Sequence, residues 1–491
     1  MASYSLTRWV LLRGLALVYL FSFLSFTIEV AGLVGPDGIA PAGEFFEAQQ
    51  HQLGTSAQFL VPSVFWFDAS QRALQGVGIA GILFSVAGLF GILPLITFTL
   101  LWGLTLSCVT VGQLFYSYQW DTLLLEAGFL ALFLAPLSFV HRLSSESPPQ
   151  PVFIWLFRWL VFRLMFFSGL VKLMSGDLSW QNLTALTFHY ETQPLPNPLS
   201  WYAHQLPLWF QRGSAALMFV IELVLPFCIF GPRALRVAAF FGFSALQILI
   251  FATGNYTFFN LLALVLTLSL LDDKSLSRFV PEGLFREYVL TLQNRAASGW
   301  KNGVAAVVAS LLFAFSLIPI GGLAYLPPVL QQAFLLATPY HISSSYGLFA
   351  VMTQTRNEII LEGSVDGKEW LPYEFTYKPG ALERVPGQIA PLQARLDWQM
   401  WFAALGTCRQ NPWFLRFQQR ILENSPSVLA LLETNPFVKT PPRFIRSLLY
   451  RYSFTSWGEK NWWKREQIGP YCPIIALKPS PSEKPKATHN K

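Results

Sequence analysis

Six ionisable side chains fall in or at the edge of strongly apolar runs: Asp121, Glu126, Arg158, Arg163, Lys172 and Glu222. Facing lipid, each would be costly, so they are expected to face one another or a cavity. As structural ion pairs they would lock helices together. As the lining of a cavity they could relay protons or hold an ionic substrate. The first is the simpler reading. A second group surrounds a proline-rich segment, "FHYETQPLPNPLSWYAHQLP" at 188–207, and comprises His189, Tyr190, Glu191, Pro194, Pro196, Pro198, Trp201 and His204. Its "HYE" triplet places an imidazole near Glu191, which would suit a general acid/base pair. The plainer reading is a set of interfacial polar residues that hold a structured loop.

The prolines of "PLPNP" fix φ at alternating positions and push the residues before them into extended conformations. Such a segment loses little entropy on ordering. It suits a rigid rim with Tyr190, Trp201, Tyr202 and Trp209 at headgroup level. No other motif carries chemistry: the chain has no nucleophile elbow, Walker loop, dinucleotide fingerprint or HExxH. The glycines of "LEGSVDG" belong to a turn. No catalytic, cofactor-binding or metal-ligating residue is expected, and no cofactor is implied. Cys108 and Cys228 lie in apolar runs as small packing residues. Cys408 and Cys472 have no CxxC or spaced histidine around them. They would form one disulfide if they meet in the fold on the oxidising side of a membrane.

The elements that position these residues are membrane helices. The 491 residues are 53% hydrophobic and only 12% charged, against about 25% charged in a soluble domain. Apolar runs recur at roughly 8–30, 76–93, 95–114, 120–140, 152–173, 214–231, 234–252, 256–271 and 301–320. The expectation is an all-α polytopic bundle of about nine transmembrane helices, with no internal repeat. The first run is too long for a cleaved signal and is expected to stay in place. The excess of basic residues (+7) is mild for this length, with no arginine-rich run, so nucleic-acid binding is not expected.

Orientation follows from the short loops. Arg8, Arg13, Arg142, Arg233, Arg236, Lys274, Arg278, Arg286 and Arg295 share one side if the N-terminus is inside. The opposite segment 31–75 carries Asp37, Glu44, Glu47 and Asp68 against Arg72. The loops 31–75 and 174–213 and the C-terminal part then lie outside. At about 1.5 Å per residue, Glu126 lies roughly 9 Å, Glu222 roughly 12 Å and Arg163 roughly 15 Å below the outer surface. These depths suggest one Arg163–Glu126–Glu222 cluster, with Lys172 and Asp121 paired at the outer edge and Arg158 snorkelling inward.

The texture changes near 325. "NEIILEGSVDGKEWLPYEFTYKPG" alternates apolar and polar residues around a turn, and "LLYRYSFT" reads as a further strand. "NPWFLRFQQRILENSPSVLALLETNPF" reads as short helices punctuated by proline. The expected domains are a membrane part at 1–320, a soluble outer α+β part with a β-rich region at 325–478, and a disordered tail at 479–491.

Several long stretches closely resemble the lipase maturation factor family: "SYQWDTLLLEAGFLALFLAP" (117–136), "FRWLVFRLMFFSGLVKLMSGD" (157–177), "HYETQPLPNPLSWY" (189–202), "TGNYTFFNLL" (253–262) and "RLDWQMWFAAL" (395–405). The resemblance covers nearly the whole chain. It implies a multi-pass membrane protein, of the endoplasmic reticulum in a eukaryote or of the plasma (inner) membrane in a bacterium. It also implies a chaperone-like role in which client proteins, secreted dimeric lipases above all, reach their active form through contact with the lumenal face. The family has no established catalytic residues, so none is carried over. The alternative is a membrane-embedded enzyme of carboxylase-like or redox type, using the buried charges and His189. A water-filled cavity reaching Arg163 would favour the enzyme, and a sealed bundle the maturation factor. A transporter would show broken inverted repeats, and none is visible.

Overall fold

A computed structural model describes residues 3–143, 147–279, 299–322 and 327–476. Its apolar helices are α1 (Ser5–Val34), α2 (Gln71–Phe90), α3 (Pro94–Tyr116), α4 (Gln119–Leu132), α5 (Pro151–Met174), α6 (Leu208–Cys228), α7 (Arg233–Thr253), α8 (Phe259–Leu270) and α9 (Asn302–Gly321). Among the described residues seven of these are long and apolar enough to cross a bilayer, and α4 and α8 are not. Seven of the about nine expected spans are therefore present as long apolar helices among the described residues, and the runs at 120–140 and 256–271 form the two short ones. The short pair rise only about 21 and 18 Å, less than a hydrocarbon core of about 30 Å. The run 120–140 stays apolar past Leu132, but Pro136 cannot donate to the carbonyl of residue 132 and disfavours helix at Ala135. Thr257, at φ +52, keeps the start of α8 from extending backwards.

Both short helices are packed inside the bundle, where non-helical backbone next to them is shielded from lipid. Around α4, Asp121 meets the C-terminal part, while the chain beyond it returns to the opposite face, where the His141 N–H donates to Gly91 O at 2.8 Å. That far face also gathers the N-terminus. The Ser5 and Thr7 N–H groups donate to Asp273 at 2.8 and 3.0 Å, and Arg233 pairs with Asp272 at 3.2 Å. Close packing of α5 on α6 needs Gly169, because a Cβ there would stand 2.9 Å from Glu222 Cβ.

The opposite face carries a five-stranded antiparallel sheet in the order β3-β2-β1-β4-β5. Its strands are β1 (Arg356–Ser364), β2 (Leu371–Phe375), β3 (Leu432–Thr434), β4 (Phe444–Phe454) and β5 (Trp463–Ala476). In β1 and β4, Arg356 lies opposite Tyr452 and Ser364 opposite Phe444. This register puts Ile359, Leu361 and Ile445 on one face, toward helices α10 (Arg395–Leu405) and α11 (Pro412–Leu422). The core is continuous: buried Leu15, Phe26, Leu124 and Phe157 of the membrane helices join Met400, Phe414 and Phe417 in one cluster. A disulfide between Cys408 and Cys472 (Cα–Cα 5.4 Å) ties the turn before α11 to β5. The tail at 479–491 and most of the linker at 272–300 lie outside the described residues.

The β1–β2 connection is a side-chain-braced turn. Asp366 Oδ1 accepts from the N–H groups of Lys368 (2.8 Å) and Glu369 (3.0 Å), and Gly367 takes φ +75. A Cβ at Gly367 would meet nothing nearer than the Phe444 ring at 3.7 Å, so the obstacle to substitution is backbone strain alone. Gly367→Val should lower stability by about 1 kcal/mol or more, read as a reduced thermal midpoint of the detergent-solubilised full chain. An unchanged midpoint would contradict the left-handed assignment.

Candidate functional site

The sequence-selected charges are all buried, but they sort into separate pairs. Arg163, midway along α5, pairs with Glu126 of α4. Both are covered by a segment that enters the bundle from beyond α9. There the Ser344 N–H (3.0 Å) and the Tyr346 hydroxyl (2.5 Å) donate to Glu126 Oε2, and Arg163 donates to Ser344 O at 3.1 Å. Glu222 does not join them, which corrects the expected three-residue cluster. It pairs with Lys172 at 2.8 Å, and Lys172 also donates to Ser168 O. Helix rise gives depth but not rotation about the axis, and the rotation of α6 is altered locally. Pro226 offers no N–H to the carbonyl of Glu222, and the helix widens to a π turn over Val220–Val224.

Asp121 does not meet Lys172 either. Its two oxygens take the forked guanidinium of Arg395 at 3.0 and 2.8 Å. Arg395 also donates to Phe115 O (2.7 Å), lies 3.2 Å over the Tyr116 ring, and sends its backbone N–H to Glu29 of α1. Arg158 is buried rather than snorkelling, donating to Ser269 O at 2.8 Å with its guanidinium 5.0 Å from the Tyr4 ring.

The proline segment lies under the sheet, not on an exposed rim. Residues 192–197, including Pro194 and Pro196, are buried. Arg356 of β1 drives its guanidinium into this segment, donating to the carbonyls of Glu191 (2.9 Å), Gln193 (2.5 Å) and Pro194 (2.9 Å). Glu358 and Lys378 continue the network, with Arg356–Glu358 at 2.6 Å and Lys378–Glu358 at 3.0 Å. Pro198 opens a short helix, Pro198–His204, whose Asn197 cap forms a capping box with Ser200. Asn197 further donates to Ala252 O and Gln388 Oε1. Asn255 holds the other side: its oxygen accepts from the N–H groups of Ile389 (2.8 Å) and Ala390 (3.0 Å), and its amide donates to Gly387 O (2.8 Å).

The expected rim aromatics divide. Trp201 is buried against Trp457 and Trp462 of the β4–β5 turn and donates to Thr455 Oγ1 at 3.3 Å. Trp209 stays on the surface at 74% exposure. The two halves of "HYE" point apart. His189 Nε2 meets the Tyr256 hydroxyl at 3.1 Å, and Tyr256 donates to Gln193. The Tyr190 ring lies against His189. Glu191 instead accepts the Phe454 N–H at 2.6 Å and lies 3.9 Å from His204. Burial raises Glu191, against the Phe454 N–H and Arg356, and burial lowers His204. Among the described residues no group of three His, Cys, Asp or Glu side chains could hold a metal ion.

The geometry therefore describes a charged, hydrogen-bonded joint between helix bundle and sheet. Two family models match the two sides of it: the lipase maturation factor transmembrane domain over residues 6–278, and the lipase maturation factor C-terminal domain over 342–473. The chain belongs to the lipase maturation factor family. It is 36% identical to lipase maturation factor 2 of Gallus gallus over 96% of this chain and 81% of that protein. With lipase maturation factor 2 of Homo sapiens the identity is 35%, over 97% and 84%. With lipase maturation factor 1 of Mus musculus it is 36%, over 96% and 87%. No solved structure matches. Membership makes the chain a multi-pass membrane protein with seven candidate spans. Asp121, Glu126 and the proline segment lie in the first matched region, and Tyr346, Arg356 and Arg395 in the second, so the joint connects the two family domains.

Sequence reasoning missed Arg356, Arg395, Asn255, Glu29 and Tyr346. Two of them did stand inside the distinctive stretches: Asn255 in "TGNYTFFNLL" and Arg395 at the head of "RLDWQMWFAAL".

Two outcomes follow. Arg163→Met strips Glu126 of its cation and should destabilise the chain by about 3–5 kcal/mol. Adding Glu126→Gln should recover part of that loss, whereas adding Glu222→Gln should recover none. Thermal midpoints in detergent decide, and rescue by Glu222→Gln would restore the single-cluster arrangement. The second concerns acid. Burial, then the charge of Lys172, pushes His189 down from 6.5 to about 4. The unfolded chain takes this proton more readily, so stability is full above about 6.5 and falls as the pH drops toward 4. His189→Gln should shallow that slope while leaving the part due to His204, and an unchanged slope would refute a buried neutral ring.

Proposed function

We propose that the protein is a maturation factor for secreted or membrane client proteins, presenting its sheet-bearing face to them. Its relatives are named lipase maturation factors, and lipases that must fold and assemble as dimers are the clients proposed here. The observation that carries this reading is the burial of the Arg163–Glu126 pair, where a water-filled cavity would have favoured an enzyme. Arg163 is 2% exposed and covered by Ser343, Ser344 and Tyr346 of the chain itself. A buried pair covered in this way holds helices together, as a structural ion pair does.

The proposed placement sets the sheet-bearing face in the lumen of the endoplasmic reticulum, or outside the plasma membrane in a bacterium. The proposed division is a membrane part at 1–320, with outer loops 31–75 and 174–213, and an outer part at 325–478. Two features support it. Arg8, Arg13, Arg233, Arg236, Lys274 and Arg278 belong to the opposite face, as the positive-inside rule asks. The Cys408–Cys472 disulfide lies on the sheet side, as an oxidising compartment allows.

The test is complementation. In eukaryotic cells lacking their own lipase maturation factors, this chain should raise the active fraction of a secreted dimeric lipase without changing its transcript. Arg356→Met, which releases the proline segment from the sheet, should lower that active fraction several-fold at matched protein level. Unchanged lipase activity with the wild-type chain correctly inserted would overturn the assignment.

A further inference from the structure

The sequence contains two Asn-X-Thr triplets, Asn182-Leu183-Thr184 and Asn255-Tyr256-Thr257. This pattern is the acceptor for N-linked glycosylation wherever it lies on the lumenal side and on an accessible loop. Both fall on the sheet-bearing side, between α5 and α6 and between α7 and α8 respectively. The fold treats them oppositely.

Asn255 is 2% exposed, and both ends of its amide are used. Its nitrogen donates to Leu195 O and Gly387 O, and its oxygen accepts from the N–H groups of Ile389 and Ala390. A sugar on that nitrogen would remove donors from the joint and could not be enclosed there. Asn182 is exposed and closes a one-turn helix, Leu178–Gln181. Its backbone is held, with its N–H donating to Leu178 O at 2.9 Å and the Thr184 N–H to Ser179 O at 2.8 Å. Its side-chain amide makes no hydrogen bond to any described residue. The turn carries Leu183 at φ +59 and sits outside the network that clamps residues 191–197. A glycan joined to the nascent chain here would remain outside the folded protein without displacing a contact.

We propose that Asn182 is an N-glycosylation site. The inference rests on the lumenal placement of the 174–213 loop proposed above. In the transfer, the Asn182 amide nitrogen bonds to the anomeric carbon of an oligosaccharide carried on a polyisoprenyl diphosphate. The anomeric C–O bond to the diphosphate breaks, the polyisoprenyl diphosphate leaves with the electron pair, and one amide proton is lost to a base of the cell's oligosaccharyl transferase. Asn255 stays unmodified.

The experiment expresses the full chain in eukaryotic cells, with a second acceptor sequon appended after Lys491 as a topology reporter. Peptide N-glycosidase treatment should remove two glycans from this chain, and only one from its Asn182→Gln and Thr184→Ala versions. The released Asn182 should appear as Asp in the peptide mass spectrum. If only the appended sequon is modified, the Asn182 proposal falls and the lumenal placement stands; Asn182, eight residues beyond Met174, would then lie too near the bilayer for the transferase. If neither is modified, the lumenal placement falls and the proposal with it. If Asn182→Gln still loses two glycans, the second sits on another asparagine and the assignment is overturned.

Discussion

Arg395 is fully buried, and its charge is matched by Asp121, itself 2% exposed, from a helix of the other domain. Replaced together by apolar residues, such a pair is often neutral for stability; left half-made, it is severely destabilising. Its weight in this fold lies in position. The bidentate geometry admits one placement of the α10 N-terminus over the ends of α1, α3 and α4. From that placement follow the Tyr118–Gln399 bond (2.7 Å), the Gln393–Ser25 bond (3.1 Å) and the seat of the sheet on the bundle.

The proline segment gains its meaning from the same arrangement. A guanidinium that must be satisfied by backbone needs carbonyls fixed in a convergent array. Pro194 supplies one of the three carbonyls, beside those of Glu191 and Gln193, without an N–H group that would need a partner of its own, and its restricted φ helps to hold the array before Arg356 arrives. The stiffness that the sequence advertises is thus the stiffness of a socket. The surrounding tryptophans cover it: Trp463 stacks near the Arg356 guanidinium at 5.4 Å, and Trp201 closes the far side.

What was legible before the structure, and what was not, divides along a physical line. Hydropathy marks the membrane helices, and charges within them are marked as buried because lipid leaves no alternative; Asp121, Glu126, Arg163, Lys172 and Glu222 were found that way. The β1–β2 turn was equally visible, because an Asp-Gly pair between alternating strands leaves few conformations. Partners were not visible. Helix rise orders residues by depth and is silent on azimuth, so Glu222 was given to Arg163 instead of Lys172. Arg356 and Arg395 read as ordinary charges of a soluble domain, since nothing local distinguishes an arginine bound for solvent from one bound for a buried carboxylate. Tryptophans beside prolines suit a lipid interface and a protein interface equally well, and Trp201 took the second. The truncation of α4 was foreshadowed only by Pro136.

The order of synthesis gives the joint a temporal side. Asp121 waits for a partner 274 residues further along the chain, and Glu126 for donors 218 and 220 residues away. At about 5–20 residues per second, that interval is on the order of tens of seconds. Throughout it, Asp121 lacks its final cation, while Glu126 has Arg163 from 37 residues further on but not yet its donors Ser344 and Tyr346. The Asp121 joint cannot be completed until Arg395, in the last third of the protein, has been made. The contacts of α4 are therefore completed late in synthesis, by Arg395 and by the segment that carries Ser344 and Tyr346.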